Sequence, residues 1–412
     1  MKLNAVVAGV GMTRFAKHLD RNLKSLGAEA ITKALRDAGL EASELEAAYM
    51  SNASAGAISG QEMIRGQVVL HAMGIGKIPV INVENACASA SSAFSQAAAM
   101  VSAGIYDVVL ACGTEKMYHA DKRLTYKALG GAVDVEAAAA LKAELEASAA
   151  SSGAEAAAAG AGEKRSVFMD FYARAAREHM RAHGTTAEQF AAVSAKNSLH
   201  GSLNPNAQFQ THMSVDDVMA APMIAEPLTR PMCSPVGDGA AAAILMSERK
   251  ARALGLAGKA PRVVCSALSA TWPKGDDEPG LTEWCATSAY ELAGLGPNDL
   301  SLVELHDASA LAELVAYENL GLCGAGESGP LVASGATRLG GRLPVNTSGG
   351  LLRKGHPIGA TGIAQVVELT EQLRGTAGAR QVEGARIGLA HNAGGSLGRD
   401  SAACCVTILT AN

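Results

Sequence analysis

The chain has 412 residues, a net charge of −5, 48% hydrophobic residues and 18% charged residues. This length can bury a substantial core and favours two domains or one duplicated unit, and the composition is that of a compact α/β enzyme rather than a disordered or fibrous protein. The acidic balance and the aromatic content of 4% argue against a nucleic-acid-binding surface.

The sequence predicts a cytoplasmic protein without a membrane span. No window approaches the roughly eighteen uninterrupted apolar residues that a spanning helix needs, and the first residues run into a strand pattern without the form of a signal peptide. The eight cysteines show neither CxxC pairs nor metal-finger spacing. We therefore expect reduced thiols and no metal site in this chain.

The first elements predict alternating strands and helices. The segment from Asn4 to Gly11 predicts a buried strand followed by a glycine turn. Gly9 and Gly11 do not make a dinucleotide-binding motif, because Arg14 stands where a third glycine would be needed. A helix is predicted next over 25–38. It is followed by a helix over 61–73, a strand over 78–83, a helix over 89–102 and a strand over 106–112.

The amino-acid pattern of the chain changes over the segment from about 119 to 214. Residues 137–163 are almost entirely Ala, Gly, Ser and Glu, which indicates a low-complexity insertion. Helices are predicted over 165–180 and 187–199. A small-residue segment over 238–246 leads into a strand, and 250–260 is the best candidate for a linker. This middle segment therefore interrupts the first unit of the fold.

The second half repeats the plan of the first. Its predicted elements are strands over 261–269, 302–306 and 385–390 and helices over 288–293 and 361–374. Pro79-Val-Ile-Asn leads to Cys87 and a small-residue helix, and Pro344-Val-Asn leads in the same way to His356. Packing the two halves on each other would bring these two helix starts face to face.

Cys87 is the first candidate for chemistry. It lies between a predicted strand and a predicted helix, where the helix dipole and free N–H groups favour a thiolate. From this segment alone, a buried structural cysteine among alanines explains the pattern equally well. His356 supports the catalytic interpretation, because it lies in a glycine-dense loop related to the cysteine segment by the internal repeat.

These segments resemble the signature blocks of the thiolase superfamily. The blocks are the Cys87 segment, Asp238-Gly-Ala-Ala-Ala, and Gly-His356-Pro-Ile-Gly-Ala-Thr-Gly. Glu304-Leu-His306-Asp and His391-Asn-Ala-Gly-Gly bring the resemblance nearer to the sterol-carrier-protein type, also known from lipid-transfer-protein-like thiolases. It extends over nearly the whole chain.

The resemblance implies the α/β thiolase fold, with two repeated βαβαβαββ halves in a five-layer α-β-α-β-α arrangement and an inserted loop domain. The implied N-terminal half is 1–118 with 215–255, the loop domain that covers coenzyme A is 119–214, and the C-terminal half is 256–412. It also implies a homodimer or a dimer of dimers.

The resemblance also implies roles for single residues. Cys87 would carry the acyl group, His356 would activate it, and Ser234 would lie along the pantetheine arm of coenzyme A. Thiolases carry a second cysteine that acts as acid and base, and this chain lacks it. Sterol-carrier-type thiolases have that cysteine at the position of Ala308, and other thiolases have it in the loop that here begins with His391.

This departure leaves a cysteine and two histidines, Cys87, His306 and His356, a set that resembles the triad of decarboxylating ketoacyl synthases. Two neutral imidazoles can stabilise a thioester enolate without a second thiol. Proton transfer would then fall to His391, His306 or the substrate itself. For His391, a merely structural role in the loop is an equal alternative.

Cations of the loop region are candidates for the phosphates of coenzyme A, with solvated surface charges as the alternative for most of them. They are Lys116, Arg123, Lys127, Lys164 and Arg165. Met117, Met169 and Met232 are candidates for the wall of the acyl pocket.

The sequence thus predicts a coenzyme A-dependent acyltransferase that cleaves or forms a 3-oxoacyl-CoA through an acyl-enzyme on Cys87. One alternative is a thiolase-like subunit that works with a small zinc-binding OB-fold partner on aromatic, benzoylsuccinyl-CoA-type or steroid side-chain acyl-CoA, as thiolase or aldolase. Another is a non-catalytic subunit that binds acyl-CoA.

Overall fold

A computed structural model describes residues 3–139, 166–275, 277–398 and 400–412. Most of the predicted Ala-rich insertion lies outside these residues. Eleven strands are described, and nine of them form one mixed sheet in the order β3-β2-β4-β7-β1-β8-β11-β10-β9. The strands are β1 Ala5–Met12, β2 Ala47–Ser51, β3 Val80–Val83, β4 Val108–Glu115, β5 Met223–Ala225, β6 Leu228–Thr229, β7 Gly239–Ser247, β8 Arg262–Ala270, β9 Leu302–Glu304, β10 Ile387–Gly394 and β11 Ala403–Thr410.

The helices of the described residues lie between these strands, together with short 3₁₀ turns and a helical stretch over 135–139. They are α1 Leu23–Ala38, α2 Ala55–Ser59, α3 Arg65–Ala72, α4 Ser89–Ser102, α5 Lys122–Leu129, α6 Val167–His183, α7 Ala187–Ser202, α8 Val215–Met219, α9 Glu248–Ala253, α10 Leu281–Ala293, α11 Ala310–Asn319, α12 Ser328–Ala333, α13 Gly350–Lys354 and α14 Thr361–Leu373. None of the described helices is long and apolar enough to cross a membrane.

The sheet consists of two copies of one strand order, which confirms the predicted repeat. The first copy is β3-β2-β4-β7-β1 and the second, read from the other edge, is β9-β10-β11-β8. The two copies meet where Ala5 and Val6 pair with the start of β8. A single parallel bridge between Val303 and Val345 stands where the first copy has β3. The segment before Asn346 is thus the counterpart of the segment before Cys87.

Two helices form the middle layer between the half-sheets. Helix α4 contacts β2, β4 and β7 of the first copy and β8 and β11 of the second, whereas α14 contacts β1 and β7 as well as β9 and β10. Gly362 approaches α4 so closely that a Cβ there would lie 2.0 Å from Ser91 Oγ. With α1 outside the first half-sheet and α10 outside the second, this is the predicted five-layer arrangement.

The structure corrects two predicted elements. The expected glycine turn does not exist, because Gly9 and Gly11 lie inside β1, where they let α1 approach. A Cβ on Gly9 would lie 2.3 Å from the Ala34 carbonyl oxygen and one on Gly11 2.5 Å from that of Ala30. The expected linker over 250–260 begins inside α9 and continues as a turn into β8.

Candidate active site

Cys87 lies in a short turn between the two halves. Strand β3 ends at Val83, a 3₁₀ turn follows over Ala86–Ala88, and α4 begins at Ser89. Strand β10 of the second half passes close by, since a Cβ on Gly394 would lie 2.2 Å from the Asn85 carbonyl oxygen. Only glycine permits this approach, which fixes the turn against the opposite half.

His356 lies directly against the thiol. Its Nε2 is 3.3 Å from Cys87 Sγ, and its Nδ1 is 2.8 Å from the Thr361 hydroxyl oxygen. The Thr361 hydroxyl donates its own proton to the Pro357 carbonyl, 3.1 Å away. This arrangement assigns the ring proton of His356 to Nδ1, so that Nε2 presents a lone pair to the thiol and can accept its proton.

A buried carboxylate of the first half holds the His356 loop in place. Glu115 accepts hydrogen bonds from the N–H groups of Gly359, Ala53 and Ala55, each at 3.0 Å. A Cβ on Gly359 would lie 2.8 Å from the Glu115 carboxylate. Burial raises the pKa of Glu115, and the backbone N–H groups oppose that shift. The loop of one half is therefore positioned by the other.

The thiol and the imidazole are both neutral at rest. Burial, and next the charge of Glu115, raise the pKa of Cys87 to about 12, although the N–H groups of Cys87 itself and Gly395 lower it. Burial, with the nearby charges of His306 and Lys354, holds the pKa of His356 well below its usual range. Burial thus opposes the thiolate that the helix start is expected to favour.

His306 completes the cluster around the sulfur. Its ring meets that of His356 edge to face, with centroids 5.2 Å apart. One ligand atom from each of Cys87, His306 and His356 lies within 4.8 Å of the others, so the three could also hold a soft metal ion. His306 Nε2 has no hydrogen-bond partner among the described residues, and burial lowers the pKa of His306 to about 4.

His391 lies deeper, within β10. Its Nε2 is 3.4 Å from the Thr282 hydroxyl, and its Nδ1 has no partner in the described part of the chain. Burial, with a contribution from the charge of His306, lowers the pKa of His391 to about 3. His306 lines the cavity described below, and His391 does not belong to its wall. The geometry thus favours His306 over His391 for direct contact with a substrate.

A cavity of about 650 Å³ opens onto the sulfur. Its wall is largely apolar and combines both halves with helix α6. Besides Cys87, His306 and His356, it includes Met117, Tyr126, Met169, Phe168, Tyr172, Phe209, Met213 and Ser234. Met117 and Met169 lie where the sequence placed them, whereas Met232 is fully buried in the core of the C-terminal half.

Cys233 and Tyr172 were not singled out as wall residues from the sequence. Cys233, which also lines the cavity, pairs through its backbone with Ser309, next to the Ala308 that stands in place of the usual second thiol. Burial raises the pKa of Cys233 to about 12. Burial raises the pKa of the Tyr172 hydroxyl of α6, and a negative charge on Cys87 would raise it further. Neither residue belongs to a recognisable motif, and only the fold brings them to the cavity.

None of the described cations that the sequence proposed for phosphate binding lines the cavity. Lys116 forms a buried ion pair with Asp238 at 2.5 Å and also donates to the His18 and Tyr118 carbonyls, so its charge is already compensated. Arg123 is 80% exposed and pairs with Asp121. Lys127 is exposed on α5. Lys164 and Arg165 lie outside the described residues. Ser234, by contrast, lines the cavity.

Two arginines take a place at the cavity that the sequence did not suggest. Arg230 and Arg353 both line it. Arg353 is buried, donating to the Thr211 carbonyl at 2.6 Å and lying over the Phe209 ring at 5.4 Å. Arg230 is exposed. The position of Arg230 four residues before Ser234 is the signal that could have identified it.

Replacing Asp238 by asparagine is expected to destabilise the protein by about 3 kcal/mol, because it leaves the half-buried charge of Lys116 without its buried counter-charge. Asp238 is fully buried and also accepts the N–H groups of Met117 and Tyr118 at 2.7 and 2.8 Å. Chemical denaturation measures the change. The double variant Asp238→Asn with Lys116→Met should recover part of the loss, and equal losses in both would contradict the charge argument.

Comparison with known proteins agrees with this geometry. A model described as "Thiolase, N-terminal domain" matches residues 5–249, and one described as "Thiolase C-terminal domain-like" matches residues 281–408. A solved structure of an Ltp2-ChsH2(DUF35) aldolase superposes with a TM-score of 0.77 at 24% identity, over 100% of this chain and 98% of the other. This last likeness concerns the fold alone.

Several curated relatives match at higher identity. An acetyl-CoA acetyltransferase of Methanothermobacter thermautotrophicus is 39% identical over 96% of this chain and 97% of its own. Human sterol carrier protein 2 is 37% identical over 94% of this chain and 69% of its own. A benzoylsuccinyl-CoA thiolase subunit of Thauera aromatica is 34% identical over 94% of each chain. This chain therefore belongs to the thiolase family and is an acyltransferase-type enzyme that acts on coenzyme A thioesters.

Proposed function

We propose that the protein transfers acyl groups of 3-oxoacyl-CoA thioesters through a thioester on Cys87. The observation that carries this proposal is the contact of 3.3 Å between Cys87 Sγ and His356 Nε2 at the floor of the cavity. As the sulfur attacks the substrate carbonyl, its proton passes to His356 Nε2, which is unprotonated at rest. Coupling attack to proton transfer avoids a free thiolate, whose formation burial makes costly.

The charge that develops on the substrate oxygen needs hydrogen-bond donors. The N–H groups of Cys87 and Gly395, which lower the pKa of the thiol, would donate to the oxyanion formed there. His306, neutral and with an Nε2 that has no partner among the described residues, offers a further donor to the oxygen of a thioester enolate. That enolate forms when the C2–C3 bond of the tetrahedral adduct breaks, which leaves the acyl group on Cys87 until the thiol of coenzyme A takes it up. The enolate carbon receives the proton that His356 removed from the Cys87 thiol, and we assign the relay of this proton to His306 rather than His391, because His306 lines the cavity.

The acyl-enzyme can be tested directly. Incubation with a panel of acyl-CoA and 3-oxoacyl-CoA thioesters should add the mass of the acyl group to the chain, and peptide mapping should locate it on Cys87. A chain that turns over these thioesters without ever carrying an acyl group would contradict the covalent route. A chain that binds them without either result would point to a non-catalytic subunit.

A bulky apolar acyl group suits the cavity better than a short one. The wall near the sulfur contains Phe168, Tyr172 and Phe209 together with Met117 and Met169. Such side chains bind large apolar or ring-bearing groups by burial of surface area. In the same panel we expect long-chain or aromatic acyl groups to have the lower KM. A KM that rises with acyl size would contradict this preference.

A second candidate is a thiolase-like catalytic subunit within a larger assembly. It is supported by the Thauera aromatica relative, which is named as a subunit, and by the missing second thiol at Ala308. The name of the Ltp2-ChsH2(DUF35) aldolase adds a DUF35 protein as the kind of partner, in line with a small zinc-binding OB-fold protein. Full activity of a purified homodimer would exclude this candidate, whereas activity that appears only with a copurified small protein would support it.

We assign one phosphate contact of coenzyme A to Arg230, because this exposed cation lines the cavity. Replacing Arg230 by alanine is therefore expected to raise the KM for acyl-CoA by about tenfold with little change in kcat, because a charge-assisted contact to phosphate contributes to binding in ground and transition states alike. Steady-state kinetics measure it. Arg252→Ala, which removes an exposed arginine of α9 paired with Glu248, serves as the matched control. If the KM rose about tenfold in Arg123→Ala but not in Arg230→Ala, the phosphate contact would belong to Arg123, as the sequence predicted.

A further inference from the structure

A second cluster of metal-binding side chains lies apart from the catalytic cavity. His179 and His183 stand one turn apart at the C-terminal end of α6, and Glu318 projects from α11, against which α6 packs. One ligand atom of each lies within 4.8 Å of the others. None of the three lines the cavity above Cys87. We refer to these three residues as the α6–α11 cluster.

The geometry of the cluster is near that of a tetrahedral metal site. His179 Nε2 lies 3.3 Å from Glu318 Oε1. Ligand atoms that bind zinc at about 2.1 Å in a tetrahedron are themselves about 3.4 Å apart, so this pair already has the required spacing. The ring centroids of His179 and His183 are 4.7 Å apart. One ring nitrogen of the exposed His183 lies within 4.8 Å of the ligand atoms of the other two residues, so it must move closer to complete the site.

Outer partners orient two of the three ligands. The Thr185 hydroxyl is 2.8 Å from His179 Nδ1, which directs Nε2 toward Glu318. The Ser328 hydroxyl donates to Glu318 Oε1 at 2.6 Å. Metal-ligating histidines and carboxylates are commonly held by such hydrogen bonds, which fix the ring and the carboxylate orientation. His179 is buried and His183 is exposed, so the cluster has one fixed side and one side open to solvent.

We propose that the α6–α11 cluster binds a divalent transition-metal ion of the zinc type, with His179, His183 and Glu318 as ligands and water at the open fourth position. Two imidazoles and one carboxylate form a well-known ligand set for zinc. The bound ion links α6 to the C-terminal half. Since the N-terminal part of α6 supplies Phe168 and Tyr172 to the cavity wall, the ion stabilises the helix that shapes that wall.

Zinc titration of the full chain against a chromophoric chelator tests the site. The experiment uses the background Cys87→Ala with His356→Ala, which removes the other cluster of the described residues that could hold a metal. We expect one Zn²⁺ per chain and a rise in Tm on addition of Zn²⁺, because an ion that binds only the folded state stabilises it. Adding His183→Ala to this background should weaken binding at least tenfold and abolish the rise in Tm.

The control is His71→Ala, which removes another exposed histidine from the last turn of a helix, α3. It should keep both the stoichiometry and the rise in Tm. Equal zinc binding by the background and its His183→Ala form would overturn the proposal, as would loss of binding with His71→Ala. Because His183 is exposed, its replacement tests the site without disturbing the core. Glu318→Gln is a second ligand variant, which keeps a hydrogen-bonding group toward Ser328. We expect it to lose zinc binding to the same extent as His183→Ala.

Discussion

Replacing Cys87 by alanine is expected to lower turnover by on the order of 10⁴-fold or more and to abolish acyl-enzyme formation, because the acyl group then has no nucleophile to carry it. Among the described residues, no other thiol lies against His356, whose Nε2 is 3.3 Å from Cys87 Sγ. Intact mass spectrometry after incubation with acyl-CoA measures the acylation, and steady-state kinetics measure the turnover. Binding of acyl-CoA should persist in the variant.

Cys233→Ala is the control for this experiment, since Cys233 is another thiol that lines the same cavity. It should still take up the acyl mass. Acylation that disappears in Cys233→Ala but survives in Cys87→Ala would transfer the nucleophile to Cys233. Acylation that survives in both would refute a cysteine nucleophile in this cavity altogether.

The repeat and the middle layer could be predicted because they depend on patterns visible in the chain. The repeat of Pro-Val before Cys87 and before His356 placed two helix starts face to face, and α4 and α14 indeed pack there through Gly362 and Ser91. Helix α4 has the predicted bounds. Strands β2 and β11 were not predicted, because short buried runs such as Ala47–Ser51 do not show the alternation by which strands are recognised.

The three residues that meet at the sulfur could be predicted from the sequence, but their protonation states could not. Cys87, His306 and His356 meet as expected, because motifs fix residue types. Protonation depends on burial, which a motif does not show: burial raises the pKa of Cys87 to about 12, against the thiolate that the helix start favours. The same limit applies to Lys116, whose counter-charge Asp238 lies 122 positions away along the chain.

The α6–α11 cluster could not be predicted from the sequence, because the predicted helix boundary was too early. The predicted helix ended at 180, which separated His183 from His179 and concealed their spacing of one helical turn. The third ligand, Glu318, comes from a helix that the sequence pattern did not predict. A metal site of this kind is therefore accessible only once the packing of α6 on α11 is known.

Replacing His356 by alanine is expected to slow acylation about 10³-fold at pH 7 and to change its dependence on pH. In the native protein, the pKa of Cys87 is raised to about 12 and that of His356 lies well below its usual range, so both remain neutral across the neutral region. The rate of acylation should then be flat from about pH 6 to 9, because neither resting group titrates there.

Without His356, attack requires a thiolate formed before the reaction. The thiolate fraction rises tenfold for each pH unit below the thiol pKa, so the acylation rate of the variant should rise with slope one in a logarithmic plot. Stopped-flow acylation across this range measures it. His391→Ala, which removes a buried histidine outside the cavity wall, should keep the flat profile. A flat profile in His356→Ala would show that another group accepts the thiol proton, and a slope of one in His391→Ala would identify that group as His391.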